Sequence, residues 1–307
     1  MTTATDRLTS ERAFHDRQAR QRSAHFSRRP HELVFDDDAY LDHETWIRPA
    51  MAQLGDVRGL RVLDFGCGHG MAAVVLARRG ARVTAFDLSA GYLAEAEARA
   101  DANRVAIDFV QMDGQRLPFA EGCFDRVWGN AVLHHLDLQT AAGELHRVLA
   151  PAGVAVFCEP WGENPFLNRA RRFLRYPGKE RTPDEQPLHR GDVHLLRAVF
   201  PSVEVRGFQL LSMARRLWKP GRLAAALDWC DTLLLDRCPG LQRFCRYVVL
   251  TLQRRAYNRS RDFRAGEGLR WTRQCDPIRL RHANRRVNPQ ARCAPQRQVP
   301  AKPQALF

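Results

Sequence analysis

An α/β fold, a mostly parallel sheet with helices on both faces, is predicted by three observations. Residues 62–70, Val-Leu-Asp-Phe-Gly-Cys-Gly-His-Gly, read as a short buried strand that ends in an acid and breaks into glycines. Met71 to Arg79 continues with alanines and long side chains, which suits a helix. From Leu60 to Cys158 such strand and helix stretches alternate, a pattern that calls for parallel strands joined by crossovers.

Taken in order, Thr9 to Arg22 reads as a polar helix capped at Thr9 or Ser10. Phe35 to Tyr40 is an acidic loop. A helix from about Asp42 to Leu54 follows, with Trp46, Ile47, Ala50, Met51 and Leu54 on one face to dock against the sheet. After the first strand and its helix, Arg82 to Ser89 is a second strand with Asp87 at its end, and Gly91 to Ala102 is the next helix. Ile107 to Asp113 is a third strand. Phe124 to Asn130 is a fourth, running into Val132-Leu133-His134-His135-Leu136. Gln139 to Leu149 is helical, and Pro151-Ala152-Gly153 turns the chain into a fifth strand, Val154 to Cys158, that ends at Glu159-Pro160. Residues 160–191 read as an irregular insertion holding Trp161, Phe166 and several arginines. It serves either as a wall of a substrate pocket or as a plain surface excursion. Asp192 to Phe200 is a helix, Val203 to Leu210 a sixth strand, Trp218 to Leu235 an amphipathic helix, and Phe244 to Leu252 the last strand.

Three divisions follow: a helical cap at 1–57, a ligand-binding body at 58–254 with substrate-side insertions at 160–191 and 211–240, and a tail at 255–307. The tail shows no apolar periodicity and is rich in Arg, Gln, Pro and Asn, so disorder is expected. Residues 254–307 hold fourteen Arg or Lys and three Asp or Glu, so eleven of the chain's fourteen net positive charges sit there. The tail is a nucleic-acid-binding arm, an incidental basic extension or a frame artefact; the residues alone leave all three open. No run of eighteen apolar residues predicts a membrane-spanning helix. Met1 to Ser10 lacks the apolar stretch of a secretory signal, and a cytoplasmic location is expected. Eight cysteines at 67, 123, 158, 230, 238, 245, 275 and 293 include no C-x-x-C pair, which favours reduced thiols and argues against structural zinc.

The glycines define the ligand more closely. A dinucleotide fingerprint G-x-G-x-x-G would need glycine at 71, where the chain has Met71, and no Lys-Ser/Thr follows as in a phosphate-binding loop. Asp87 lies 21 residues after Gly66, a spacing at which a carboxylate accepts from both hydroxyls of a ribose. Ligands of such sheets bind outside the carboxyl ends of the strands, where Asp64, Asp87, Asp113, Asn130 and Glu159 all fall.

The D-x-G-x-G-x-G turn, the acids at 87 and 113, and the R-V-L-x-P-x-G stretch at 147–153 together resemble the class I S-adenosylmethionine-dependent methyltransferases. The resemblance covers about residues 58–160. It implies a Rossmann-like seven-stranded sheet whose last strand is antiparallel, and S-adenosyl-L-methionine as cofactor. Asp64, Gly66, Cys67 and Gly68 would hold its methionine part, Asp87 the ribose, Leu88 and Met112 the adenine faces and Asp113 the adenine amino group, with Asn130 beside them. In many members an N-terminal segment closes over the cofactor; simple packing is the alternative here. Asn130-Ala131-Val132-Leu133 is not the Asn/Asp-Pro-Pro-Tyr/Phe motif of amino-group methylation, and no Pro-Cys pair follows strand four or five. The resemblance therefore points to the small-molecule branch, similar to ubiquinone- and menaquinone-biosynthesis or "type 11" methyltransferases.

Methyl transfer needs a base only where the acceptor must lose a proton. His135 and then His134 are the candidates, with local packing as the plain alternative, and Glu159 is a further polar group expected to face the pocket. The implied acceptor is a small, partly apolar molecule methylated on O, N or C. Peripheral membrane contact by 218–235 competes with core packing. Two rival functions stay open: a nucleic-acid methyltransferase that uses the tail, and a non-catalytic cofactor-binding protein.

Overall fold

The computed structural model describes residues 4–173, 186–217 and 222–254. The expected disordered tail, Arg175, Pro177-Gly178 and Trp218 lie outside the described residues. Seven strands are present: β1 (Arg61–Phe65), β2 (Arg82–Asp87), β3 (Asp108–Gln111), β4 (Phe124–Asn130), β5 (Leu149–Pro160), β6 (Ser202–Phe208) and β7 (Tyr247–Gln253). They pair in the order β3-β2-β1-β4-β5-β7-β6, with β7 antiparallel to both neighbours and the other pairs parallel. This is the Rossmann-like sheet that the sequence predicts.

Alternation along the strands decides which side chain enters which layer. In β5, Ala155 and Phe157 pack on one face with Leu63, Phe65, Val127 and Leu250. Val156 and Cys158 pack on the other with Val62, Ala85, Trp128 and Val249. Both faces are buried, so the central strands read as near-continuous apolar runs. The first face is covered by α6 (Leu138–Val148) and α8 (Arg190–Val199), which contribute Leu145, Val148 and Leu196. The second is covered by α3 (Ile47–Ala52) and α4 (Met71–Arg78), contributing Ile47, Met51, Val75 and Leu76. Ser89 caps α5 (Ala90–Ala102) by accepting from Tyr92 N–H, and Asp137 caps α6 by accepting from Thr140 N–H.

Several boundaries depart from the sequence reading. The first helix, α1, runs from Ala4 to Phe26, so Thr9 and Ser10 lie inside it and cap nothing. Part of the predicted acidic loop is the short helix α2 (Asp37–Leu41), with Asp37 and Asp38 in the first turn, where the helix dipole favours negative charge. The predicted 42–54 helix begins only at Ile47, although its five apolar residues are all buried as expected. β5 starts at Leu149 and includes the predicted Pro151–Gly153 turn, with a register shift against β4 between Phe124 and Arg126. The 160–191 insertion holds α7 (Pro165–Phe173): the Asn164 carboxamide oxygen accepts from Phe166 and Leu167 N–H, and Pro165 opens the helix. Between β6 and β7 comes α9 (Arg222–Arg237). Among the described residues, no helix is long and apolar enough to cross a membrane.

Candidate functional site

The turn after β1 contains three glycines with positive φ: Gly66 at 70°, Gly68 at 50° and Gly70 at 81°. The three positions serve different ends. A Cβ at Gly66 would lie 2.5 Å from Val132 Cγ2, and one at Gly70 would lie 2.7 Å from Ala96 Cβ and 2.9 Å from Ala96 Cα. Those two let chain segments pack closely. A Cβ at Gly68 would meet nothing within 4 Å, so there the backbone conformation alone asks for glycine and the space beside it is open. Gly68 N–H donates to Asp87 Oδ2 at 2.8 Å, and Ser89 N–H donates to Asp87 Oδ1 at 2.9 Å. These bonds clip the end of β2 to the turn after β1.

Asp64 and Asn130, at the ends of β1 and β4, carry the most informative polar atoms. Asp64 Oδ2 and Asn130 Oδ1 are buried and have no hydrogen-bond partner among the described residues. A buried acceptor without a donor costs free energy, so such atoms mark places where a ligand's donors fit. Burial, and next the charge of Asp87, push the Asp64 carboxyl up to about 8. Burial also raises Asp87, although the N–H groups of Ser89, Gly68 and Leu88 oppose this. A cationic donor beside the pair would stabilise both charges. Further along the same sheet edge, Gln111 Nε2 donates to Leu88 O, Met112 packs against the core, and Asp113 Oδ1 accepts from Gln115 N–H at 3.0 Å. Burial, reinforced by the charges of Arg22 and Arg99, holds His69 down at about 3, so the turn's own imidazole stays neutral. The residues present therefore fit a nucleoside that bears an ammonium group.

Beyond β4 the chain turns sharply. Ala131 has φ 56°, an uncommon conformation for a residue with a Cβ, and its N–H donates to Cys158 O at 2.7 Å. This turn directs Val132 and Leu133 N–H onto Glu159 Oε1, at 3.0 and 2.8 Å, while Glu159 Oε2 lies 2.7 Å from His134 Nδ1. Glu159 is wholly buried, with both oxygens engaged. It does not face a pocket, contrary to the sequence reading; it ties down the loop after β4. The His134 side chain is 3% exposed, whereas His135 is 17% exposed and has Glu11 Oε1 at 3.5 Å from its Nδ1. The two imidazole centroids are 4.0 Å apart, and His15 of α1 lies 5.8 Å from His135. Thus α1 approaches the same site, with Asp16 Oδ1 accepting from Ser89 Oγ at 2.5 Å beside Asp87. Neither Ala131 nor the α1 residues carry a motif that the sequence could display.

Comparison with known proteins agrees with this geometry. A family model described as "Methyltransferase domain" matches residues 63–157. An uncharacterized methyltransferase of Mycobacterium bovis, Mb0092, is 33% identical over 160 residues, covering 47% of this chain and 80% of that protein. The chain belongs to the class I S-adenosylmethionine-dependent methyltransferases. It is also similar to a malonyl-[acyl-carrier protein] O-methyltransferase of Enterobacter lignolyticus, 44% identical over 126 residues, covering 40% of this chain and 49% of that enzyme. The chain thus spans about half the length of the first curated relatives it matches. Among solved structures, a Streptomyces coelicolor geranyl diphosphate C-methyltransferase aligns with a TM-score of 0.47 at 18% identity. That alignment covers 68% of this chain and 80% of that one. Within this methyltransferase the matched 63–157 region holds the glycine turn, the acids at 64, 87 and 113, and the loop after β4.

Proposed function

We propose that the chain transfers a methyl group from S-adenosyl-L-methionine to an O, N or C atom of a small, partly apolar acceptor. The observation that carries this reading is the unpartnered Asp64 carboxylate oxygen under a glycine turn whose middle glycine borders open space. In this reading Asp64 holds the amino group of the cofactor's methionine part, along which Gly66, Cys67 and Gly68 pack. Asp87 accepts from the ribose hydroxyls, Leu88 and Met112 flank the adenine, Asp113 accepts from its amino group, and Asn130 offers its free carbonyl oxygen. The cofactor would supply an electrophilic methyl group on a sulfonium. The chain's part is to position the reactants in line and exclude water.

The loop after β4 supplies the remaining groups. Glu159 and His134 lock this loop, which leaves the more exposed His135 as the proton acceptor for an acceptor molecule that must lose a proton. The small-molecule branch is supported by the absence of the amino-methylation motif at Asn130–Leu133. None of the six described cysteines is in a disulfide, which supports a reducing, cytoplasmic setting.

The test is calorimetry of S-adenosylhomocysteine binding to the wild-type chain and to Asp87→Ala. Loss of a charge-assisted pair of bonds should weaken binding by about 2 kcal/mol. Wild-type affinity in the variant would remove the ribose assignment, and no binding to the wild-type chain would remove the cofactor reading.

A further inference from the structure

A cavity of about 390 Å³ is lined by Asn164, Phe166, Leu167, Leu210, Met213 and Phe244. We propose that it holds the hydrocarbon part of an anionic methyl acceptor, an inference that rests on the methyl-transfer reading above. Its volume falls in the range of small-molecule sites. Among the described lining residues Asn164 alone has a polar side chain, and both ends of its amide are engaged. Its Nδ2 donates to Phe244 O at 2.5 Å, and its Oδ1 accepts from Phe166 and Leu167 N–H. What the lining offers a ligand is therefore apolar contact. Phe166 is 75% exposed and Leu211, next to Leu210, is 43% exposed, so apolar surface at this place faces water in the free chain.

Position and charge narrow the occupant. Pro160 pairs with Tyr247, and Tyr247 with Phe208, so the end of β5, the start of β7 and the end of β6 lie side by side. Glu159, which fixes His134 and the loop after β4, is the residue just before Pro160, and Asn164 follows four residues after Pro160. The cavity thus borders the segment that follows the end of β5, whose Glu159 fixes the loop after β4. Its far wall is anchored as well: Asp231 accepts from the N–H groups of Leu210, Leu211 and Ser212 and from Ser212 Oγ. This buried carboxylate pins the turn that carries Leu210 and Met213. The exposed Arg243 guanidinium lies 4.6 Å from the centroid of the Phe244 ring, which sets a positive charge beside the apolar lining. Hydrocarbon within and a cation at the edge match a carboxylate-bearing amphiphile.

The experiment titrates the full chain, with S-adenosylhomocysteine present, with dodecanoate and separately with dodecanol. Saturable dodecanoate binding at one site is expected, with dodecanol weaker. Met213→Trp, which fills the cavity, should weaken dodecanoate about tenfold while leaving S-adenosylhomocysteine binding intact. Leu167→Phe is the second variant should Met213→Trp fail to fold. Arg243→Gln should weaken dodecanoate and leave dodecanol unchanged. A chain that binds S-adenosylhomocysteine but not dodecanoate, or whose dodecanoate binding ignores both cavity-filling variants, overturns the proposal. Failure to bind S-adenosylhomocysteine sinks the methyl-transfer reading, while the dodecanoate arms still decide the cavity.

Discussion

Asp64 sits under the glycine turn with its carboxyl buried and Asp87 nearby, and it titrates at about 8 where 3.8 is ordinary. Between those two values the folded chain holds a proton that the unfolded chain has released. The stability tied to that proton is complete below pH 3.8 and declines as pH rises through 8. Asp64→Asn removes the titration, so its stabilising effect should be small near pH 4 and should grow to the order of 1–3 kcal/mol at pH 8. Urea unfolding at pH 5 and pH 8 reads the difference; equal midpoint shifts at both would show that the carboxyl is not strained by burial. The same substitution removes the negative charge proposed to hold the cofactor's amino group. It should therefore weaken S-adenosylhomocysteine binding even as it stabilises the free chain, the usual conflict between stability and a site preformed for a ligand.

At the scale of elements, α1 shows how a helix without an apolar stripe is held in place. Arg22 donates from Nε and Nη2 to the two oxygens of Glu95, Tyr92 Oη donates to Gln18, and Asp16 accepts from Ser89. A Cβ at Gly91 would stand 2.7 Å from Ala19 Cβ, so glycine there permits the close approach of α1 to α5. Burial alone would raise the Glu95 carboxyl, but Arg22, through its bonds and its charge, holds it below 4.5. For a carboxylate depressed in this way, the stabilisation is present above pH 4.5 and is lost as pH falls through the lowered value. Amide exchange in α1 should accordingly speed up below pH 4 relative to its intrinsic rate while β4 and β5 stay protected, and Arg22→Ala should produce the same loosening at neutral pH. Protection of α1 that persists unchanged to acid pH would contradict this. The contrast also explains what the sequence could convey. β7 is readable because burial on both faces demands a long apolar run, and β1, β2 and β4 because shorter apolar stretches run into Asp64, Asp87 and Asn130. The extent of α1 is not, because polar pairs with a distant helix leave no period in its own residues. Likewise, Glu159 is recognisable as a strand-end acid, but its inward role depends on the positive φ of Ala131, which no residue type announces.

Across the whole molecule, the net charge is unevenly placed along the sequence. The strand order reverses between β1 and β4, and Asp64 and Asn130 sit at the ends of those two strands, the crevice where sheets of this kind bind ligands. Eleven of the fourteen net positive charges belong instead to residues 254–307. The first of those residues is part of the body: Arg254 Nη1 donates to Leu149 O at 2.7 Å, and Nη2 to Glu121 Oε1 at 2.5 Å. It joins the end of β7 to the start of β5, so a truncation meant to test the basic segment should fall after Arg254 and not before it. If the chain methylates a small molecule, removing 255–307 should leave S-adenosylhomocysteine affinity and the thermal midpoint as they were. Any binding of the full chain to duplex DNA should weaken with salt at a slope of about −0.9 per phosphate contacted, and should vanish with the segment. A full chain whose methyl transfer proceeds only on nucleic acid and stops with the truncation would move the acceptor from the small-molecule class to nucleic acid, and a truncated chain that loses cofactor affinity would show that the segment supports the cofactor site. The opposite result would confine the segment's charge to a role outside methyl transfer. Dividing the chain after Arg254 keeps these outcomes separable, because every described contact of the sheet survives the cut.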